Sequence, residues 1–430
     1  MTKTVYDTSR SAFMSFIVKS TIICIALENV KIISIAGTEL KPIHFVLILA
    51  ALYCMLVNPI PVKHFVWGVF FLLLPVFPIY RIGNVVEWAK SYVIYVIMCL
   101  FMLFAMKHFI SEFRKDAKRY VRLMLNVIVV LEILGIIQFI MMNLFGVFFL
   151  QDFWGIFQFH PSQFGMSGGL YRAYSLFYEP SFFAWVCNTS IAVCLFFDKG
   201  AISRNTKLFN IILSIVAVMC SLASSGIAIT LVIFAVFVLV RSKNPLKIIG
   251  SVLVALMVVL LIAAFTDLLA PLNRIFTEIK TPNTSGYERL VTPILYAKRT
   301  LEYFPLFGRG LGQEGNVDAV GKIGLYTGVQ NSVFGIVVWF GLSSLFFYVP
   351  AWKYCMKRLK ENRRWLILLA MIVSIYASNG AFCSPDLFMF LVLLVAIGNS
   401  IPLENNLKAE IKEEPKDERK PTYLRYNTGL

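Results

Sequence analysis

Long apolar runs separated by short basic blocks recur along nearly the whole chain, and this pattern admits few folds. Apolar side chains make up 58% of the 430 residues. That is roughly 250 positions, enough for about a dozen crossings of about 20 residues at 1.5 Å rise each. A bilayer leaves no water for exposed backbone, so such runs must close their hydrogen bonds internally as helices. The expected fold is therefore an all-α, polytopic integral membrane protein.

The expected spans are Ala12 to Val30, Ile43 to Pro59, His64 to Tyr80, Ser91 to Ile110, Leu123 to Leu150, Ser181 to Phe197, Leu208 to Ala223, Gly226 to Val240, Ile248 to Thr266, Asn331 to Pro350, Trp365 to Ala377 and Asp386 to Ile401. The first reads as an uncleaved span, because no small-residue cleavage site follows it. Lys/Arg asymmetry orients the set. The blocks Arg114 to Arg122, Lys199 to Lys207, Arg241 to Lys247 and Lys353 to Arg364 belong inside, which makes both termini cytoplasmic. Outer loops then fall at 151–180, 267–330 and 378–385, within a membrane domain spanning 1–402. The mixed-charge, weakly apolar stretch 403–430 reads as a disordered cytoplasmic tail.

The uncharged stretch Leu208 to Val240 is too long for one crossing and is basic at both ends, so the chain must cross an even number of times between them. A helical hairpin results. Its break is expected in Ser221 to Gly226, with Gly226 free to take a positive φ.

A formal charge of +16 would suggest nucleic acid in a soluble domain, but here the basic residues sit in the inner loops of a membrane protein. Nucleic-acid binding is thereby disfavoured. The eight cysteines include no CxxC pair and the four histidines are scattered, so neither a disulfide framework nor a metal site is expected. No internal repeat is visible, which weighs against inverted-repeat transporters.

Polar residues gather on the outer side. The first loop ends in RAYSLFYEP, with Arg172, Tyr178 and Glu179; the hairpin tip adds Ser224, Ser225 and Gly226. The long loop carries Arg274, SGYERL with Tyr287 and Arg289, FPLFGRGLGQ with Arg309, and Asn331 at a helix start; the short loop leads into Asp386. A planar guanidinium matches diphosphate oxygens bidentately and stays charged, so arginines at a membrane rim suit a lipid diphosphate and its departure. A nearby carboxylate can take the proton of a sugar hydroxyl. Glycosyl transfer from a polyprenyl diphosphate sugar needs these parts, and tyrosines or Trp339 could stack on its sugar rings.

The motifs RAYSLFYEPSFFA at Arg172 to Ala184, the SSG turn, SGYER at Ser285 to Arg289, QNSVF with the following Gly341, and SPD at Ser384 to Asp386 occur in an order that resembles Wzy-type polysaccharide polymerases. The likeness is nearest to colanic acid polymerases, with O-antigen ligases as distant relatives. It implies a GT-C-like membrane glycosyltransferase of the bacterial cytoplasmic membrane. Such an enzyme moves a growing glycan from undecaprenyl diphosphate onto an incoming lipid-linked repeat unit, with no cofactor. Membrane lipids, a chain-length regulator and a repeat-unit flippase are the implied partners beside the undecaprenyl diphosphate-linked oligosaccharide. Carried over by motif, Arg172 and Arg289 face the diphosphate and Glu179 is the acidic residue. From their shared placement in the outer loops, Tyr178, Tyr287, Arg274, Arg309, Asn331 and Asp386 are expected substrate contacts. Ligase relatives often have a His-Asn pair where this chain has Gln330 and Asn331, so a histidine base is in doubt here.

Each of these residues also has a structural reading. Arg172 could anchor a helix end among lipid phosphates, Glu179 could favour a helix dipole, and Arg289 could close an ion pair within its loop. GRGLG at Gly308 to Gly312 follows no strand and is expected to build structure, not to cradle phosphate. Lys19, Glu28 and Glu132 lie in apolar segments and require partners, Lys19 being one candidate for Glu132. Such charges are the chief support for the alternative class, a flippase of lipid-linked sugars; an O-antigen ligase is the other alternative.

Overall fold

The computed structural model describes residues 2–35, 38–57, 62–81, 83–148, 166–167, 169–197, 202–242, 280–281, 284–313, 331–378 and 384–400. Arg274, the expected span Ile248 to Thr266 and the 403–430 tail lie outside these residues.

Fifteen helices run through the described residues: α1 (Thr2–Ile23), α2 (Pro42–Val57), α3 (Val62–Leu73), α4 (Val85–Leu100), α5 (Met106–Lys115), α6 (Ala117–Leu144), α7 (Pro180–Phe196), α8 (Arg204–Ser221), α9 (Ser224–Arg241), α10 (Ser285–Leu290), α11 (Thr292–Tyr303), α12 (Ser332–Phe340), α13 (Leu345–Glu361), α14 (Trp365–Ser378) and α15 (Pro385–Gly398). Two small antiparallel hairpins, β1 (Ile33–Ile35) with β2 (Thr38–Leu40) and β3 (Met166–Ser167) with β4 (Leu170–Tyr171), join α1 to α2 and lead toward α7. Among the described residues, four helical stretches are long and apolar enough to cross a membrane: Val85–Lys115, Ala117–Leu144, Ser224–Arg241 and Ser332–Glu361. Six shorter apolar helices accompany them.

The bundle is organised around α7. A helix apolar on all sides belongs in a core, and nearly every residue of α7 is buried, with α6, α8, α9 and α14 packed round it. One of its polar side chains ties it to α9. Asn188 donates to the Gly226 carbonyl at 2.9 Å and accepts from Thr230 at 2.6 Å. A smaller second core gathers Leu74, Tyr95, Tyr296, Leu311 and the α12 residues Ile336 to Phe340.

The long apolar run breaks into α8 and α9 where expected, but by a different device. Leu222, not Gly226, takes the positive φ, at 46°. Gly226 is helical, and a Cβ there would sit 2.4 Å from the Cβ of Ala184. Its role is therefore to let α9 cross α7 closely, as small residues do between membrane helices.

The expected span Asn331 to Pro350 is also not one regular helix. It stops at Phe340, makes a tight 3-10 turn over Gly341–Ser344, and resumes as α13. GRGLG explains the break. The amides of Arg309 and Gly310 donate to the Val338 and Trp339 carbonyls at 2.8 and 3.1 Å, while Leu342 and Ser343 donate to the Pro305 and Leu306 carbonyls at 2.7 and 3.0 Å. Backbone freed by the break is thus re-paired within the protein, a condition for irregular backbone at membrane depth. Gly308 and Gly341 make this possible: both have positive φ, and a Cβ on Gly341 would lie 2.4 Å from the Pro305 carbonyl oxygen. The glycine loop is structural, as expected.

Glu132 is fully buried on α6, and Ser214 of α8 donates to it at 2.5 Å, so its partner is a hydroxyl and not Lys19.

Candidate functional site

The segment from Arg172 to Glu179 is irregular, yet Ala173 to Ser175 and Phe177 are buried. Buried loop backbone needs partners, and side chains on neighbouring helices supply them. Asn143 of α6 pairs with both backbone groups of Tyr171, accepting at 2.7 Å and donating at 3.0 Å. Gln138, one helical turn earlier and itself buried, accepts the amides of Tyr174 and Ser175 at 2.9 and 2.8 Å. Ser175 takes a positive φ of 53° and donates its hydroxyl to the Leu131 carbonyl at 2.8 Å.

The same segment docks on the end of α8, where the last carbonyls of a helix have no internal partner. Ala173 donates its amide to Cys220 at 3.0 Å, and the Arg172 Nε donates to the Ser221 carbonyl at 3.4 Å. The hairpin tip thereby seats the loop arginine. Ser221 itself caps the break, its hydroxyl accepting from the Ala223 amide at 3.2 Å.

At the other end of the loop, Glu179 precedes Pro180 as the residue before α7. Its backbone carbonyl accepts the Phe182 amide, but its carboxylate makes no capping bond. That carboxylate turns away from the helix axis. Its Oε2 accepts from the Ser181 hydroxyl at 2.9 Å and stands 3.8 Å from Nη2 of Arg289 on α10. The two motif residues are thus brought together from distant parts of the chain. With side chains 37% and 25% exposed, the carboxylate and the guanidinium stay open to a ligand.

Asn331 holds Arg289 in place. Its carbonyl oxygen caps α12 by accepting from Val333 and Phe334, and its amide donates to the carbonyls of Arg289 and Ala377 at 3.2 and 2.8 Å. These bonds tie α10 to α14. Tyr287 is half-buried on the same short helix, beside the fully buried Glu288, which sequence reasoning passed over.

Asp386 and Arg309 are more enclosed than a surface constellation implies. Arg309 is only 5% exposed, its guanidinium lying 5.8 Å from the centre of the Tyr296 ring. Trp339 is buried in the second core, which removes it as a sugar platform. Asp386, in the first turn of α15, accepts from the Lys41 ammonium at 2.7 Å, and Lys41 also donates to Glu28 at 3.0 Å. Both carboxylates are about 4% exposed. Burial alone would push the Lys41 ammonium toward neutrality, but Asp386 and Glu28 outweigh it and hold its pKa above the ordinary lysine value.

This ion triad was not legible in the sequence, because Lys41 falls in a short connection with no motif. It adjoins the loop at Tyr178, whose backbone lies near the Glu28 carboxylate. Tyr178 is half-buried, and its phenol is pushed up by desolvation, then by Glu179 and by Glu39 of β2, so it stays protonated as a donor. Glu39 is ion-paired with Lys31 at 2.8 Å. Among the described residues, no group of three or more His, Cys, Asp or Glu could hold a metal ion.

The assembled site is a half-open arginine and carboxylate at the end of a buried loop, with a second arginine at the loop's start. No curated protein sequence matches the chain. A family model does, over residues 17–399, a stretch that contains every motif named above and leaves out only the two ends. That extent of agreement, on a chain of apolar helices, shows that it belongs to the WcaD colanic acid polymerase family.

Proposed function

We propose that the chain is an oligosaccharide repeat-unit polymerase at the outer face of the bacterial cytoplasmic membrane. Twelve spans in a GT-C-like arrangement, with both termini cytoplasmic, would carry the site. The observation that carries this reading is the contact between Glu179 and Arg289 at 3.8 Å, two motif residues joined across more than a hundred positions of sequence. Membership of a polymerase family supports it.

In the proposed reaction the donor is a glycan on undecaprenyl diphosphate and the acceptor is an incoming lipid-linked repeat unit. The donor diphosphate competes for Arg289, offering it a bidentate partner in place of the loose carboxylate contact. Glu179 is thereby released to face the acceptor hydroxyl. The acceptor oxygen bonds to the donor anomeric carbon, the bond from that carbon to the diphosphate oxygen breaks, and the hydroxyl proton passes to Glu179. Arg172 and Arg289 carry the charge that develops on the departing undecaprenyl diphosphate. Tyr178 and Tyr287 line the acceptor side, and Arg274 is proposed as a further diphosphate contact. Asn331, Arg309 and Asp386 serve the substrate by holding these groups in place.

Purified protein given only undecaprenyl diphosphate-linked repeat units should make a ladder of longer lipid-linked glycans. Neither ATP nor nucleotide sugar should be required, since the diphosphate leaving group drives the transfer. A ligase would stay silent until a different acceptor was supplied, and a flippase would move labelled substrate without lengthening it. The chain-length regulator and repeat-unit flippase named as partners would alter the ladder's length and supply, not its existence.

The proposed topology has its own test. Reporters fused after Arg122, Arg204 and Arg364 should read cytoplasmic, and those after Gly168 and Asn316 extracytoplasmic. A cytoplasmic signal after Gly168 would place the arginines on the wrong side for an extracytoplasmic polymerase.

A further inference from the structure

We propose that Ser181 is a positioning residue for Glu179, holding the carboxylate in place once substrate has drawn Arg289 away. The Ser181 hydroxyl donates to Oε2 of Glu179 at 2.9 Å, and the same oxygen stands 3.8 Å from Nη2 of Arg289. Oε1 takes part in neither contact. One oxygen is thus held, and the other is left to receive a proton.

The backbone shows why a side-chain bond is needed. Glu179 precedes Pro180, which restricts it to extended conformations, and its φ and ψ are −138° and 151°. Its carbonyl accepts the amides of Phe182 and Phe183 at 3.1 and 3.3 Å. The main chain is therefore pinned, but the side chain makes no capping bond and is 37% exposed. Among the described residues, Ser181 and Arg289 orient it. The two contacts differ in kind. The ion pair is long and partly solvated, hence weak, and the proposed reaction gives it up when a diphosphate takes the guanidinium. Ser181 is only 5% exposed in the first turn of α7, the helix round which the bundle is built, so its hydroxyl stays in place. Its charge-assisted bond to Oε2 outlasts the exchange.

The kinetic test of this role rests on the polymerase reading; the structural test does not. In the ladder assay, Ser181→Ala should lower kcat by about 10- to 100-fold, the range expected when a reacting group drifts by about 1 Å. Alanine is the better helix former, so a weakened α7 would not be the cause. KM should change by less than about threefold, because Arg172 and Arg289 are untouched. Ser181→Thr keeps the hydroxyl and should recover most of the loss, whereas Ser181→Cys is close to serine in size but a weak donor and should resemble alanine. In a Glu179→Gln background, Ser181→Ala should cost less than about a further twofold, because two residues acting through one group are not additive. Full multiplication of the two effects would reduce Ser181 to a packing residue and overturn the proposal.

Thermal unfolding in detergent needs no activity. Ser181→Ala should lower the midpoint by about 1–3 °C in the otherwise unaltered chain, and by less than about half as much where Glu179→Ala has already removed the acceptor. An equal drop in both backgrounds would mean that the hydroxyl does not hold the carboxylate, and would overturn the positioning role whatever the ladder assay shows. A drop that depends on Glu179, in a protein that makes no ladder, would leave the bond standing and remove only the polymerase reading.

Discussion

Arg289→Lys is expected to reduce kcat/KM for chain extension by about 100-fold, with membrane insertion and abundance unchanged. Lysine keeps the charge but loses the planar fork, and with it the bidentate hold on a diphosphate. Removing one well-placed donor to a developing negative charge costs about 10² to 10³ in rate. Glu179→Gln should be nearly as damaging as Glu179→Ala if the carboxylate accepts the acceptor proton, a role worth about 10² to 10⁴. The 3.8 Å contact invites a simpler view, that the pair merely ties α10 to the loop before α7. Exchanging the two residues tests it. A structural ion pair survives reversal, so Glu179→Arg with Arg289→Glu would recover activity on that view, whereas the proposed chemistry leaves the exchanged protein inactive. Rates of ladder growth in proteoliposomes, normalised to protein, decide between them.

The second large effect concerns stability. Gln138→Leu should destabilise the folded protein by about 2–5 kcal/mol, because the buried amides of Tyr174 and Ser175 lose their shared acceptor and each unsatisfied donor costs about 1–3 kcal/mol. Leucine fits the apolar face of α6 well, so the loss reports the hydrogen bonds and not the packing. Gln138→Glu keeps an acceptor and should cost much less. Thermal unfolding in detergent, followed by intrinsic fluorescence, would show the difference. Equal midpoints for Gln138→Leu and the unaltered protein would mean that the loop is not held from α6. Activity should fall with stability in the leucine variant, since the held loop carries Arg172 and Glu179.

Much of this architecture could be read from the residues alone, because apolar runs between basic blocks leave a membrane chain little choice. Most of the described helices fall on the expected apolar segments, α10 and α11 lying instead within the expected 267–330 loop, and the break between α8 and α9 lies within SLASSG. What could not be read was which residue solved each local problem. Gly226 was a natural candidate for the turn, but only the crossing of α7 shows that its missing side chain serves packing. The interruption after Phe340 was invisible for a similar reason: its partners, Pro305 to Gly310, lie about thirty residues earlier in the sequence. No periodicity records such a contact.

At the site, the loop motifs named Arg172, Glu179 and Arg289, and the structure brings the last two together. The supporting residues were harder to see. Gln138 stood out as a polar residue in an apolar run, yet its two loop amides come from positions 36 and 37 residues away. Lys41 gave no signal at all, since one lysine in a short connection is ordinary until Glu28 and Asp386 are found beside it. Motif residues stand out in a sequence, whereas the residues that hold them need only be near in space.

The central claim is that Arg172, Glu179 and Arg289 form the site at which lipid-linked repeat units are joined. Its most direct test is the reconstituted protein in liposomes, supplied with undecaprenyl diphosphate-linked repeat units on the side facing 169–180 and with nothing else. The account predicts a ladder from the unaltered protein and none from the Arg172→Ala, Arg289→Ala double variant, although both insert and fold alike. A ladder of undiminished length and yield from the double variant would contradict the site, and the absence of any ladder from the unaltered protein would contradict the polymerase itself.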